Sequence, residues 1–166
     1  RRRLIRALEK ACVEHGVRFQ EGVEVLSLLH NTHEFQGVHI RNAEGQIKRL
    51  PANEGVLCSG AWSRQIFQRL PIFPVKGQML SLQGPKKALK RIIFGPGTYL
   101  VPREDGLVVV GATSEKDAGF QSGLTPEGQR QLHLGIQALI PHVNEWPQME
   151  RWWGFRPCTP DESPLL

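Results

Sequence analysis

The chain has 166 residues, 40% of them hydrophobic and 22% charged, with a formal net charge of +5 at pH 7. This length suits one well-buried domain or parts of two, and the balance is that of an ordinary globular protein. No apolar run approaches the ~20 residues needed to span a bilayer, no signal-peptide pattern is present, and the basic residues are not interleaved with exposed aromatics, so a membrane span and a nucleic-acid partner are not expected.

The basic clusters Arg1 to Arg3, Lys86-Lys87 and Lys90-Arg91 read as solvated faces that can also draw in an anionic ligand such as a phosphate-rich dinucleotide. Cys12, Cys58 and Cys158 are far apart in the sequence and form no CxxC. Cys12 and Cys58 are expected as small core residues, which suits a reducing cytoplasm. The histidines are scattered, and no zinc or other metal site is expected. The chain begins without Met and stops at Ser163-Pro164-Leu165-Leu166, and the expectation is an internal piece of a larger protein.

Taken in order, Leu4, Ile5, Leu8, Ala11 and Cys12 recur at helical spacing and predict an amphipathic helix over 2–15, stopped at Gly16. Val17 to Gln20 reads as a short strand, and Gly22 to Val25 begins another. Gly37 to Ile40, the turn Asn42 to Gly45, and Ile47 to Leu50 predict a hairpin. Gly55 to Ser63 reads as a buried strand running into a small-residue turn, followed by a short helix from Arg64 to Leu70. After Pro71 and Pro74 the pattern is extended: Val75 to Leu82, Arg91 to Phe94, Thr98 to Val101 and Leu107 to Gly111 are strand candidates, with a turn at Arg103 to Gly106. Thr125-Pro126-Glu127 combines a cap, a first-turn proline and an acid at the positive helix end, so a helix runs to Pro141 with Leu132, Ile136, Leu139 and Ile140 buried.

The stretch Arg151-Trp152-Trp153-Gly154-Phe155-Arg156-Pro157 reads as a strand. Alternation puts Trp152, Gly154 and Arg156 on one face and Trp153 and Phe155 on the other. Gly154 leaves an opening beside Arg156, and Pro157 ends the ladder. An always-charged fork held there can grip a carboxylate at two points. The plainer alternative is an arginine that pairs with an internal acid or caps backbone carbonyls. The two tryptophans read more readily as packing than as ligand contacts.

Trp152 to Asp161, WWGFRPCTPD, resembles the W-x-G-x-R-P-x-T-x-D segment of FAD-dependent amino-acid oxidases. Gly55 to Ser63 is similar to that family's V-[LV]-[CA]-[SA]-G-A-W-[ST], and Pro74 to Gln78 to its P-[VI]-[KR]-G-Q. Thr98 to Arg103 and Gly111 to Glu115 resemble Y-[LI]-V-P-[RK] and G-[AS]-T-x-E. The likeness runs through nearly the whole chain in the family's order. It implies an α/β plus α+β fold: part of a Rossmann-like FAD domain over 1–69, an antiparallel-sheet substrate domain with a covering helix over 70–155, and a return toward the FAD domain over 156–166.

The same resemblance implies FAD as cofactor and a small amino acid as substrate. It gives Arg156 the substrate carboxylate and lets the Tyr99 hydroxyl bond it, although a core tyrosine is the alternative there. It assigns FAD contacts to the Val25 backbone, in Gly22-x-Glu24-Val25, and to Gly60 and Ala61, where a plain strand-to-helix connection is the alternative. The dinucleotide fingerprint G-x-G-x-x-G and a closing glycine-rich loop are not in these residues, so the piece alone is not expected to hold FAD. No Ser/His/Asp set or paired carboxylates stand out, and none is needed, since the flavin carries the chemistry and no residue is singled out as catalytic. Phe73 to Gly77 and Gly111 to Ser114 lean toward glycine oxidase of thiamine thiazole synthesis. Sarcosine oxidase, a quinone-linked D-amino-acid dehydrogenase and, in a different class, a non-catalytic β-rich interaction domain are the alternatives. A homo-oligomer of the full-length protein is left open.

Overall fold

The computed structural model describes residues 2–165, which divide into two compact units, one ending at Leu57 and the other beginning at Cys58. In the first, helix α1 (Arg2–Glu14) precedes an antiparallel meander of β1 (Glu24–His30), β2 (Phe35–Arg41) and β3 (Ile47–Pro51), in that spatial order. The hairpin predicted between 37 and 50 forms, with Val38 opposite Leu50 and Ile40 opposite Lys48. Its turn is closed by Gly45 N donating to Asn42 O and by the Asn42 side chain, which accepts from Gln46 N at 2.8 Å.

Two strand expectations in this region fail. Val17 to Gln20 is irregular, and so is Gly55 to Cys58, with Val56 90% exposed. The apolar composition of Gly55 to Cys58 suits a strand buried on both faces, but among the described residues no strand lies alongside to share a hydrogen-bond ladder. Backbone groups without such partners stay with water. Cys58 is therefore exposed rather than in the core, and Cys12 is half-buried.

The second unit is built on a five-stranded antiparallel sheet. Its strands are β4 (Phe73–Gln83), β5 (Ile93–Gly95), β6 (Thr98–Pro102), β7 (Leu107–Gly111) and β8 (Gln148–Cys158), in the order β5-β6-β7-β4-β8. The long strands β4 and β8 pair along nearly their full length, from Phe73 opposite Cys158 to Leu82 opposite Gln148, with one irregularity at Ser81/Leu82, so the ladder runs one residue past Pro157 instead of ending there. A short helix α2 (Ser63–Ile66) precedes the sheet, and α3 (Pro126–Leu139) covers one face.

Helix α3 starts where its cap residues predict: Thr125 is extended and its hydroxyl accepts from Gly128 N at 3.1 Å. Leu132 and Ile136 from α3 close over Leu80, Leu82, Leu100, Val108 and Val110, forming the core, with Leu139 and Ile140 packed at its margin. At about 25 cal/mol per Å² of apolar surface, this burial is the main stabilising contribution to the unit. Alternation along β4 sets Lys76, Gln78, Leu80 and Leu82 on the α3 face. Val75, Gly77, Met79 and Ser81 point to the other face.

Candidate substrate face and cofactor turn

The face of the sheet away from α3 carries the residues with chemistry. Register places Phe94 opposite Tyr99, Tyr99 opposite Gly111, and Met79 opposite Trp152, so these residues form a row across the sheet. A Cβ built on Gly111 would meet the Tyr99 hydroxyl at 2.5 Å and Met79 Cε at 2.9 Å. The Tyr99 phenol therefore lies flat over the bare Gly111 backbone. Its hydroxyl has no hydrogen-bond partner among the described residues.

Two residues along β8 from the row, Gly154 pairs with Gly77, and an added Cβ on Gly154 would meet nothing within 4 Å. One further step brings Arg156, whose guanidinium leans over Gly77. Nη1 of Arg156 donates to the Thr113 carbonyl at 3.2 Å. Among the described residues no carboxylate lies within ion-pair distance of it. Four of its five N–H donors are thus left for a ligand. Arg156, Tyr99, Met79 and the open Gly154 share one face, an arrangement suited to a small anion with an apolar flank.

The loop after β7 supports this arm. Thr113 is fully buried. Its N–H donates to Gln78 O at 3.2 Å, and its hydroxyl accepts from Gln78 N at 2.8 Å and donates to Glu115 Oε1 at 2.5 Å. Gln78, also fully buried, uses its whole amide: Nε2 donates to Glu115 and Thr125, and Oε1 accepts from Thr125 N and Gln129 Nε2. Lys76 has no exposed side-chain surface and its Nζ lies 3.5 Å from Glu115 Oε2. The sequence placed Lys76, Gln78, Thr113 and Glu115 in two family-like segments, Pro74 to Gln78 and Gly111 to Glu115, but gave none of them a role. The run of polar residues in an otherwise apolar strand, Lys76-Gly77-Gln78, was the available signal.

On the α3 face of β8, Phe155 meets Trp153, Phe120 and Trp62 edge-on, at ring centroid distances of 5.3, 5.2 and 5.7 Å, and Trp62 stacks on Phe120 at 5.4 Å. Trp62 ends a single 3-10 turn, Gly60–Trp62, which this aromatic cluster seats against β8. Ala61 is buried, and Ser63 Oγ donates to Gly60 O at 2.8 Å. Gly60 has φ +54, and an added Cβ there would meet nothing within 4 Å, so a ligand can approach its backbone directly. Val25 belongs to the first unit. It lies on the edge strand β1 beside a bulge, where among the described residues the outer backbone groups have no strand partner. A separate cleft of about 220 Å³ beside α3, lined by Leu82, Ile136, Val143 and Trp146 among others, contains none of these residues. No described helix is long and apolar enough to cross a membrane.

Comparison with known proteins places the fold among flavoenzymes of known structure. The chain is 41% identical over 177 residues to the bifunctional protein ThiO/ThiG of Synechocystis, covering 99% of this chain and 25% of that protein. It is 30% identical over 169 residues to glycine oxidase of Pseudomonas aeruginosa, covering 99% of this chain and 45% of that one. The crystal structure of glycine oxidase from Geobacillus kaustophilus superposes with a TM-score of 0.82 at 27% identity, over 96% of this chain and 43% of that one. The chain thus spans from a quarter to under half the length of these relatives. The sequence model of the FAD dependent oxidoreductase family, DAO, matches residues 1–166, and the chain belongs to that family.

Proposed function

We propose that the protein containing this chain oxidises the amine of glycine or another small amino acid to the imine, as the glycine oxidase of thiamine thiazole synthesis. Its likeness to ThiO/ThiG and to glycine oxidase supports the substrate class. The observation that carries the reading is Arg156: a guanidinium over Gly77, free of any carboxylate among the described residues, on the same face as Tyr99 and the open Gly154.

A carboxylate set against Arg156 accepts two parallel N–H donors, a charge-assisted contact that fixes orientation as well as binding. The Tyr99 hydroxyl, free and on the same face, supplies a further donor to it. Gly154 keeps the adjoining space empty, so the α-carbon is not pushed off the sheet. Such positioning can remove ~7–11 kcal/mol of a barrier. When bound, FAD would supply the acceptor for the α-carbon hydride and the route of the electrons to oxygen, while this chain's residues bind and orient the substrate. The residues of the second unit fit that group: the uncovered Gly60 backbone and the buried Ala61 would hold part of it. Water then hydrolyses the released imine to the 2-oxo acid and ammonia. On this reading residues 1–69 continue the FAD domain, 70–155 form the substrate domain and 156–166 begin the return.

The test is the absorption spectrum of the full-length protein during anaerobic addition of glycine, sarcosine or D-alanine. Bleaching of the flavin band by glycine supports the proposal, and a band unmoved by all three overturns it.

A further inference from the structure

We infer that Thr113 and Glu115 are positioning residues for the Arg156 guanidinium, anchored by the buried ammonium of Lys76. The consequence for substrate rests on the carboxylate reading above, but the geometric inference does not.

The direction of each hydrogen bond follows from counting protons. Gln78 N–H already donates to Thr113 Oγ1, so the single hydroxyl proton of Thr113 goes to Glu115 Oε1, 2.5 Å away. Gln78 Nε2 donates to the same oxygen at 2.8 Å, and Lys76 Nζ faces the other oxygen at 3.5 Å. Glu115 is thus held from three sides. Its backbone also exchanges both hydrogen bonds with Lys76, at 2.9 and 3.2 Å, which ties the loop to β4. Between these ties the Thr113 peptide has no freedom to swing, and its carbonyl is the one acceptor that Arg156 uses.

Lys76 explains why the anchor is strong. Its side chain is fully buried and its Nζ has no hydrogen-bond acceptor, so Glu115 is the only counter-charge within reach among the described residues. An unpaired ammonium in that place is costly, so the Glu115 carboxylate is drawn inward and keeps its grip on Thr113. The chain of contacts runs from Lys76 through Glu115 and Thr113 to Arg156. It ends on the opposite side of the sheet from where it starts.

The experiment uses the full-length protein loaded with FAD and compares Thr113→Val, Thr113→Ser and Thr125→Val with the parent. Thr125→Val is the matched control: it removes a hydroxyl from the same network, and a helix cap, without touching Thr113. Two readouts are taken. One is the restriction of the Arg156 side chain, from 15N relaxation of its Nε–H, assigned with Arg156→Lys. The other is the affinity for acetate, followed by the flavin spectrum.

Thr113→Val is expected to loosen the Arg156 signal and weaken acetate about tenfold, because a guanidinium that is no longer held in place makes a poorer charge-assisted pair with the anion. Thr113→Ser is expected to stay within about twofold, since it keeps the hydroxyl. Thr125→Val is expected to lower the unfolding temperature with both Arg156 readouts unchanged. Should Thr113→Val fail to fold, the double variant Lys76→Met/Glu115→Gln, which removes both charges and strands neither, takes its place with the same expected loosening. A parent with a restrained Arg156 but no affinity for acetate leaves the relay standing and removes the carboxylate clamp. A folded Thr113→Val with Arg156 as restrained as in the parent, or a parent in which Arg156 is already mobile, overturns the relay.

Discussion

The guanidinium of Arg156 rests on the bare backbone of Gly77: a Cβ built on Gly77 would stand 2.5 Å from both Nη1 and Nη2. A residue whose only contribution is the absence of a side chain therefore decides where the charge sits. Gly77→Ala is expected to push the guanidinium off this floor and raise KM for glycine by about tenfold or more, with flavin content unchanged. Gly154, across the ladder, has nothing within 4 Å of an added Cβ. Gly154→Ala is thus expected to unfold no earlier than the parent. Steady-state kinetics and thermal melts of the two variants check the contrast, and equal KM values in Gly77→Ala and parent would refute it.

Removing the charge itself has a larger effect. Arg156→Ala is expected to keep its flavin and lose roughly a hundredfold or more in the second-order rate of reduction by glycine, because weaker binding and a misplaced α-carbon act together. Arg156→Lys recovers only part, since an ammonium cannot make the two-point contact. Amines without a carboxylate should be nearly indifferent. Stopped-flow reduction decides it: a rate with glycine as fast in Arg156→Ala as in the parent would return Arg156 to a purely structural role.

Gln78 is a stability prediction. Its side-chain amide makes four hydrogen bonds in a fully buried setting, joining β4 to Glu115 and to the start of α3. Gln78→Leu keeps the bulk and strands those partners, which is expected to cost about 2–4 kcal/mol. Denaturant unfolding with an unchanged m-value checks it, and a loss under about 0.5 kcal/mol, the ordinary range for a surface change, counts against the network.

At the surface, Lys116 Nζ lies 2.8 Å from Glu162 Oε1. The hydrogen bond and charge of Lys116 hold the Glu162 carboxyl below its ordinary value. Because the folded value lies below the unfolded one, the pair's contribution is present above the unfolded carboxylate's range and is lost as pH falls through the folded value. Both groups are exposed, so the contribution is small. NMR titration of Glu162 should show its midpoint rise in Lys116→Met. A midpoint that does not move would show the pair to be unformed in solution.

Legibility followed the range of the interactions involved. The α3 start was readable because Thr125, Pro126 and Glu127 act within one turn, and the order of strands from 73 to 111 was readable from alternation and turns. Arg156 and Tyr99 were likewise readable as candidates, one from a strand pattern and both from resemblance. The Gly55 to Cys58 strand misled because a buried strand exists only where others pair with it. Gly77 and the Thr113–Glu115 support were hidden for the same reason. Their roles depend on the register of β4 against β8 and on a loop 35 residues away from Gln78, neither of which a local pattern encodes.

The two-sidedness of β8 has a consequence for how such chains can vary in length. Phe155, flanked by Trp153, meets Trp62 of the Gly60–Trp62 turn on one side, while Gly154 and Arg156 serve the other. Inserting or deleting a single residue between Trp152 and Arg156, beyond the irregularity at Met149, would exchange the two sets, driving a charged fork into the aromatic rings and a phenyl onto the glycine floor. That stretch can accept substitutions but not a change of count. Length polymorphism among related chains should therefore gather in turns such as Asn42 to Gln46 and Arg103 to Gly106, and spare Trp152 to Arg156.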